Sequence, residues 1–266
     1  LGSAFVHALW NAMLKRDPTP RDAVGPLSLV AALVAAIAMI VARAPLRLDT
    51  LAWGAVAGAF EALYFLTLGR ALARAPLGPV YALARGGAVF LVWPLSIALF
   101  HEKLQLRAAL GAGILLGGLI LTTPRGGSPA LDQRSGLRWA ALTGVFIAGY
   151  HLAYTASLRA GGDAPTLAAL SLLLAGVFHV VRARAQAGTF PAFSARRIGA
   201  GALAGLGFVA FLLALAETGA GLVLTLRNGS VLFAMVFGLF FGERPAARQW
   251  LGAALVAGGA ATLSLG

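Results

Sequence analysis

Apolar residues in this chain come in long runs rather than in alternation, and short clusters of charge, proline and glycine break the runs. Between those breaks, ten apolar stretches stand near residues 1–16, 24–42, 51–70, 77–99, 104–122, 137–158, 165–183, 198–216, 220–241 and 247–265. Most fit the roughly 17–23 residues a helix needs to cross about 30 Å of hydrocarbon at 1.5 Å per residue. Barrel strands would alternate apolar and polar positions over about ten residues, and no segment does. The pattern predicts an all-α membrane protein of ten transmembrane helices. The first run is short and starts at Leu1, inside an apolar helix and with no signal-peptide pattern, so further residues upstream are expected. Thr123 to Ser135, rich in proline, glycine and charge, is the one stretch that reads as a linker.

Matching the two halves adds more than the runs alone. His7-Ala-Leu-Trp-Asn-Ala-Met-Leu-Lys15 aligns with His151-Leu-Ala-Tyr-Thr-Ala-Ser-Leu-Arg159, and Asp22 with Asp163. Gly54-x-x-x-Gly58 aligns with Gly201-x-x-x-Gly205, Arg85-Gly-Gly with Arg227-Asn-Gly, and Phe100-His-Glu-Lys with Phe241-Gly-Glu-Arg. Leu110-Gly-Ala and Leu251-Gly-Ala close the series in the same order. Matches of alanine and glycine would reflect composition, but histidine, arginine and glutamate are scarce here. The expectation is a duplication, with residues 1–127 and 128–266 as two five-helix repeats. An odd number of spans per repeat makes the second enter from the opposite side, giving the inverted repeat that recurs in secondary transporters.

Composition agrees with lipid as the solvent: 59% of residues are hydrophobic and 11% charged, with a mean hydropathy of +0.85. A soluble domain would need far more polar surface. The formal net charge of +12 would suggest nucleic acid in a soluble protein. Here the basic residues flank apolar runs, where they meet anionic lipid and set orientation, so no nucleic-acid partner is expected. With no cysteine, thiolate chemistry and cysteine–zinc sites are excluded. Fourteen Lys/Arg fall in loops after odd-numbered spans and five in loops after even-numbered ones. Positive-inside counting then puts both termini outside.

The first-span sequence His7-Ala-Leu-Trp-Asn-Ala-Met-Leu-Lys-Arg16 resembles the drug/metabolite transporter superfamily, in its ten-span EamA branch. So do the paired basic residues of spans four and nine, each followed by His-Glu-Lys or Gly-Glu-Arg and a Gly-rich final span. The resemblance covers essentially the whole chain. It implies alternating access around a central cavity lined by spans other than the fifth and tenth, in a bacterial inner membrane. It implies cargo such as amino acids or other small metabolites, exported across that membrane, with sugar phosphates and nucleotide sugars carried by distant relatives. It also implies cytoplasmic termini, opposite to the charge count.

The candidate site follows from polar residues set inside apolar runs, which are costly there without a partner, a cavity or a function. Arg85 lies eight residues into span four and Arg227 seven into span nine. Each is thus about 10–12 Å from the membrane face where its span starts, and inversion makes those faces opposite. A guanidinium is permanently charged and presents a planar fork suited to carboxylate or phosphate. The alternative is that each arginine holds helices together through backbone carbonyls or a glutamate. Glu61 is the acidic residue near the middle of a span, and its aligned counterpart is Phe208. It is a candidate for a coupled proton or for a structural Glu–Arg pair. His7, Trp10 and Asn11 share one helix face, as do His151, Tyr154 and Thr155, forming either a cavity wall for a small ligand or packed interior. Tyr64, Tyr81 and Tyr150 are weaker candidates, and His179 reads as interfacial.

Glu102 and Glu243 are expected to cap the helices that follow them, and Gly113-x-x-x-Gly117 to let helices approach closely. Pro94 should kink the fourth span. No nucleotide loop, hydrolase elbow or metal-spaced cluster is present, so no cofactor and no enzymatic activity are expected. The sequence therefore points to a secondary transporter of a small polar metabolite, an amino acid or other carboxylate-bearing solute, with protons or a counter-substrate as coupling partner. A carrier of phosphate- or phosphonate-bearing solutes, an intramembrane enzyme on lipid-linked substrates, and a scaffold or sensor stay open as alternatives.

Overall fold

The computed structural model describes residues 2–100, 106–122, 131–218, 227 and 230–264. Among them, regular structure is helical throughout: α1 (Gly2–Lys15), α2 (Pro20–Val41), α3 (Leu48–Leu72), α4 (Leu77–Phe100) and α5 (Leu106–Thr122). The second set is α6 (Leu131–Arg159), α7 (Ala164–Ala187), α8 (Ala195–Thr218), α9 (Ser230–Leu239) and α10 (Ala247–Ser264). Pro20–Val41, Leu48–Leu72, Leu77–Phe100, Ala164–Ala187 and Ala195–Glu217 are long and apolar enough to cross a membrane. Their outward faces carry large apolar side chains such as Ile37, Ile40, Val177, Val181 and Leu206, exposed by 46–68%, which suits lipid rather than water.

Local chemistry sets several ends. Asp163 caps α7 by accepting the Thr166 backbone N–H at 2.8 Å, and Pro165 supplies a preset first-turn φ. The same helix stops at Gly188, whose φ of +72° is left-handed. One such detail differs from expectation. Glu243 does not cap α10; its Oε1 accepts the Leu77 backbone N–H at 2.6 Å, so it closes the start of α4 across the molecule. The start of α10 is instead closed by Gln249, which accepts from the Ala246 N–H at 2.9 Å. Glu102 lies outside the described residues, as do His101 and most of the expected linker. Pro94 lies within α4, which runs unbroken to Phe100.

Helix pairing has a regular form. α2 packs on α7, α4 on α9 and α5 on α10. The other main pairs occur in twos, offset by five helices: α3 on α6 with α8 on α1, α4 on α6 with α9 on α1, and α3 on α7 with α8 on α2. The aligned glycines lie on the last of these pairs. A Cβ on Gly54 would stand 2.8 Å from Leu170 of α7, and one on Gly201 would stand 2.6 Å from the Leu27 carbonyl of α2. Gly113 and Gly117, by contrast, face open space. The close approach of α5 and α10 instead runs through Gly118, Gly252 and Gly259, where an added Cβ would meet the other helix's backbone within 3 Å. Sequence spacing picked the wrong glycines because three adjacent choices share the stripe and only packing selects among them.

Candidate binding cavity

The apolar runs leave few polar side chains inside the bundle, and the sequence candidates are among them. His7, Asn11, Glu61, Arg85, His151 and Arg227 are all buried, as are Trp10 and Tyr154. Arg85 of α4 and Arg227, which precedes α9, line one small cavity with Ala88, Val89, Val92, Ile147 and His151. Its free volume is about 10 Å³, room for roughly one water molecule and not for a metabolite.

The two arginines stand in different surroundings. Arg85 donates to Nε2 of His7, and the other ring nitrogen of His7, Nδ1, faces the indole N–H of Trp10 at 3.1 Å. Asn11 bonds the His7 carbonyl at 2.8 Å and the Tyr81 hydroxyl at 3.2 Å, which ties α1 to α4 beside Arg85. Arg227 is 3% exposed, and its Nε, Nη1 and Nη2 all lack a hydrogen-bond partner. Its cation lies 3.8 Å from the ring centre of Phe211 and 5.1 Å from that of Phe208. His151, aligned with His7, spends Nδ1 on the Ile147 carbonyl at 2.8 Å and leaves Nε2 without a partner.

Glu61 forms a second polar cluster. Its Oε1 accepts from the Tyr154 hydroxyl, which also lies 2.6 Å from Ser171 Oγ, while Oε2 has no partner. No arginine among the described residues lies within ion-pair distance of Glu61, so the Glu–Arg pair considered from sequence is not made. Tyr150 joins the clusters: its ring stacks on His151 at 4.6 Å and meets Tyr154, Tyr64 and Phe208 at 5.6, 5.5 and 6.3 Å. His179 is not interfacial; it is 2% exposed and its Nε2 bonds the Ala62 carbonyl at 2.8 Å, joining α7 to α3.

All eight sequence candidates thus fall in one buried network, with Arg85, Arg227 and His151 on the cavity and Glu61 and Tyr154 to one side. Sequence reasoning missed Ser171 and Phe211. Alignment with Glu61 singled out Phe208 without revealing that it supports Arg227, and Phe211 carries no comparable signal.

No curated protein matches this chain. A solved crystal structure of a protein, 18% identical, superposes with a TM-score of 0.70 over 99% of this chain and 97% of its own, which shows a shared fold. Residues 134–265 match the EamA-like transporter family. Over those residues, about half of its length, this chain is similar to the EamA-like transporter family.

Proposed function

We propose that the protein is a secondary transporter that moves a small anionic metabolite, an amino acid or other carboxylate-bearing solute, by alternating access around the Arg85–Arg227 cavity. One observation carries the reading: Arg227 is a permanently charged, buried side chain with no acceptor, lining a cavity it shares with Arg85. An unpaired cation inside a bundle is strongly unfavourable unless something else supplies the anion, and cargo is the obvious supplier. The alternative of arginines that only hold helices together lacks support at Arg227, which bonds no carbonyl and no carboxylate.

The moving parts in this reading are two inverted five-helix repeats, residues 1–127 and 128–266, which together give ten spans. The helix pairs that recur at an offset of five, and the aligned glycines on matching interfaces, favour it. A cavity of this size has no room for a metabolite, so in this reading cargo requires the helices around it to part. Glu61, buried with one carboxylate oxygen free, is the group proposed to carry a coupled proton. Unchanged pH dependence of transport in Glu61→Gln would remove that role.

Uptake into proteoliposomes with a panel of amino acids, organic acids and phosphonates tests the main proposal. Wild type should move at least one anionic solute, and Arg227→Ala and Arg85→Ala should each lose most of that flux. If no solute moves, or the double variant matches wild type, the site assignment is wrong.

A further inference from the structure

We infer that the cargo presents two negative charges to this cavity, as a phosphate monoester, a phosphonate or a pair of carboxylates does. The inference rests on the proposed cargo site and concerns how many charges that site is built to meet.

It comes from an acceptor count. Guanidinium and indole N–H groups only donate. His7 faces one on each ring nitrogen: Trp10 on Nδ1 and Arg85 on Nε2. A neutral imidazole has one acceptor nitrogen, because the other carries its proton, and a protonated imidazole has none. His7 therefore cannot satisfy both donors, and it never supplies negative charge. Arg85 has at most one contested neutral acceptor there for its five N–H donors. Arg227 has none for any of its nitrogens, and its Phe208 and Phe211 contacts use the ring faces and no N–H.

No carboxylate of the described residues meets either arginine: Asp22 and Glu217 are exposed, and the others are engaged elsewhere. Glu61 is held by Tyr154, Asp17 pairs with Arg197, Asp49 with Arg47 and Asp132 with Arg74. Asp163 and Glu243 cap helices. Two guanidiniums on one cavity are thus uncompensated by any contacting anion. A single carboxylate can take one of them bidentately and leaves the other buried and bare. A doubly charged group neutralises both, and its additional oxygens meet both forks. Of the other wall residues, Ala88, Val89, Val92 and Ile147 offer no acceptor side chain, and His151 offers at most its Nε2, a neutral acceptor that supplies no negative charge.

The test compares probes matched in size and differing by one charge: methyl phosphate against dimethyl phosphate, and succinate against succinamate. Affinity is read from the thermal shift of the purified full-length protein at a pH where the first of each pair is a dianion. In wild type each dianion should bind at least about tenfold more tightly than its monoanionic partner. Arg227→Gln and Arg85→Gln should each abolish that preference while still binding monoanions. Arg227→Lys, which keeps the charge and loses the fork, should retain the preference with weaker binding of both. The phosphate and succinate pairs separate one compact dianion from two linked carboxylates. Equal binding of monoanion and dianion by wild type, with both lost in the double variant, would overturn the inference and leave the anion site standing. Binding of no probe by any form, or identical binding by wild type and the double variant, would overturn both.

Discussion

Arg85 and Arg227 hold aligned positions in the sequence, yet one is engaged and the other is not. Beside Arg85 stands a polar set, His7 with Trp10 and Asn11, that fixes the guanidinium against α1. Beside Arg227 the aligned histidine, His151, turns to its own helix, and two phenylalanine rings take the cation. The same contrast recurs one helix away. Glu61 and Tyr154 form a hydrogen-bonded pair between α3 and α6, while the aligned residues Phe208 and Trp10 are both apolar-bodied. Aligned positions thus carry an unequal lining: the acidic group sits away from the arginines and an unpartnered cation sits on the cavity. A glutamate at the Phe208 position would stand beside Arg227, pair with it internally and leave less positive charge for the proposed anionic cargo.

The sharpest way to break this contrast is to restore the symmetry. Phe208→Glu places a carboxylate beside Arg227, whose cation lies 5.1 Å from the Phe208 ring centre. Transport measured in proteoliposomes should fall by about two orders of magnitude or more, because the internal anion competes at very high effective concentration with cargo. Folding, measured by thermal unfolding in detergent, should be kept, since a buried cation gains a partner. Retained flux would show that Arg227 does not meet the cargo.

On the other side, Tyr154→Phe removes the one hydrogen bond that Glu61 accepts from a described residue in the hydrogen-bond geometry, leaving a buried carboxyl group short of a partner. The expected loss is about 1–3 kcal/mol of stability. The equivalent change on the apolar side, Trp10→Phe, removes a donor from the contested His7 and should cost less in hydrogen bonding than Tyr154→Phe does. Denaturant or thermal unfolding of the two variants side by side checks the order.

Glycine contacts sharpen the comparison of the frame itself. Gly54→Leu and Gly201→Leu each drive a side chain into a neighbouring helix and should each destabilise by roughly 1–3 kcal/mol or more. Gly113→Leu, on an open face, should change stability by no more than about 0.5 kcal/mol. Similar losses at Gly54 and Gly201 would support the proposed equivalence of the two repeats.

These contrasts mark what the amino-acid pattern can and cannot carry. Apolar run length and the matched His, Gly, Arg and Glu positions made the helices and the central polar set legible, because burial in lipid permits few polar residues and repetition doubles each signal. Which atoms meet was not legible. Glu243 lies four residues before α10 but caps α4, because loop and helix start are neighbours only after folding. Glu61 meets Tyr154, which in turn meets Ser171, and not an arginine for the same reason: alignment shows which positions correspond, and side-chain direction across three packed helices decides the partner.

A last contrast between aligned positions lies in the α1–α2 loop. Asp17, between α1 and α2, accepts two hydrogen bonds of 2.8 Å from Arg197 and another from the Thr19 backbone at 2.9 Å. Its aligned counterpart by the histidine register is Gly161, which turns the α6–α7 loop with a φ of +80° and has no side chain to clamp. The Arg197 hydrogen bonds hold the Asp17 carboxyl below its usual value, against the opposing effect of burial. A carboxyl lowered by folding binds fewer protons in the native state. Its contribution is therefore complete above the unfolded value near about 3.9 and is lost as pH falls through the lower native one. Asp17→Asn should lower stability by about 1–2 kcal/mol at neutral pH. The gap between variant and wild type should close as the pH is brought below about 3.9, as read by thermal unfolding across that range. A gap that persists unchanged in acid would mean that the loop is held by the shape of Asp17 and not by its charge.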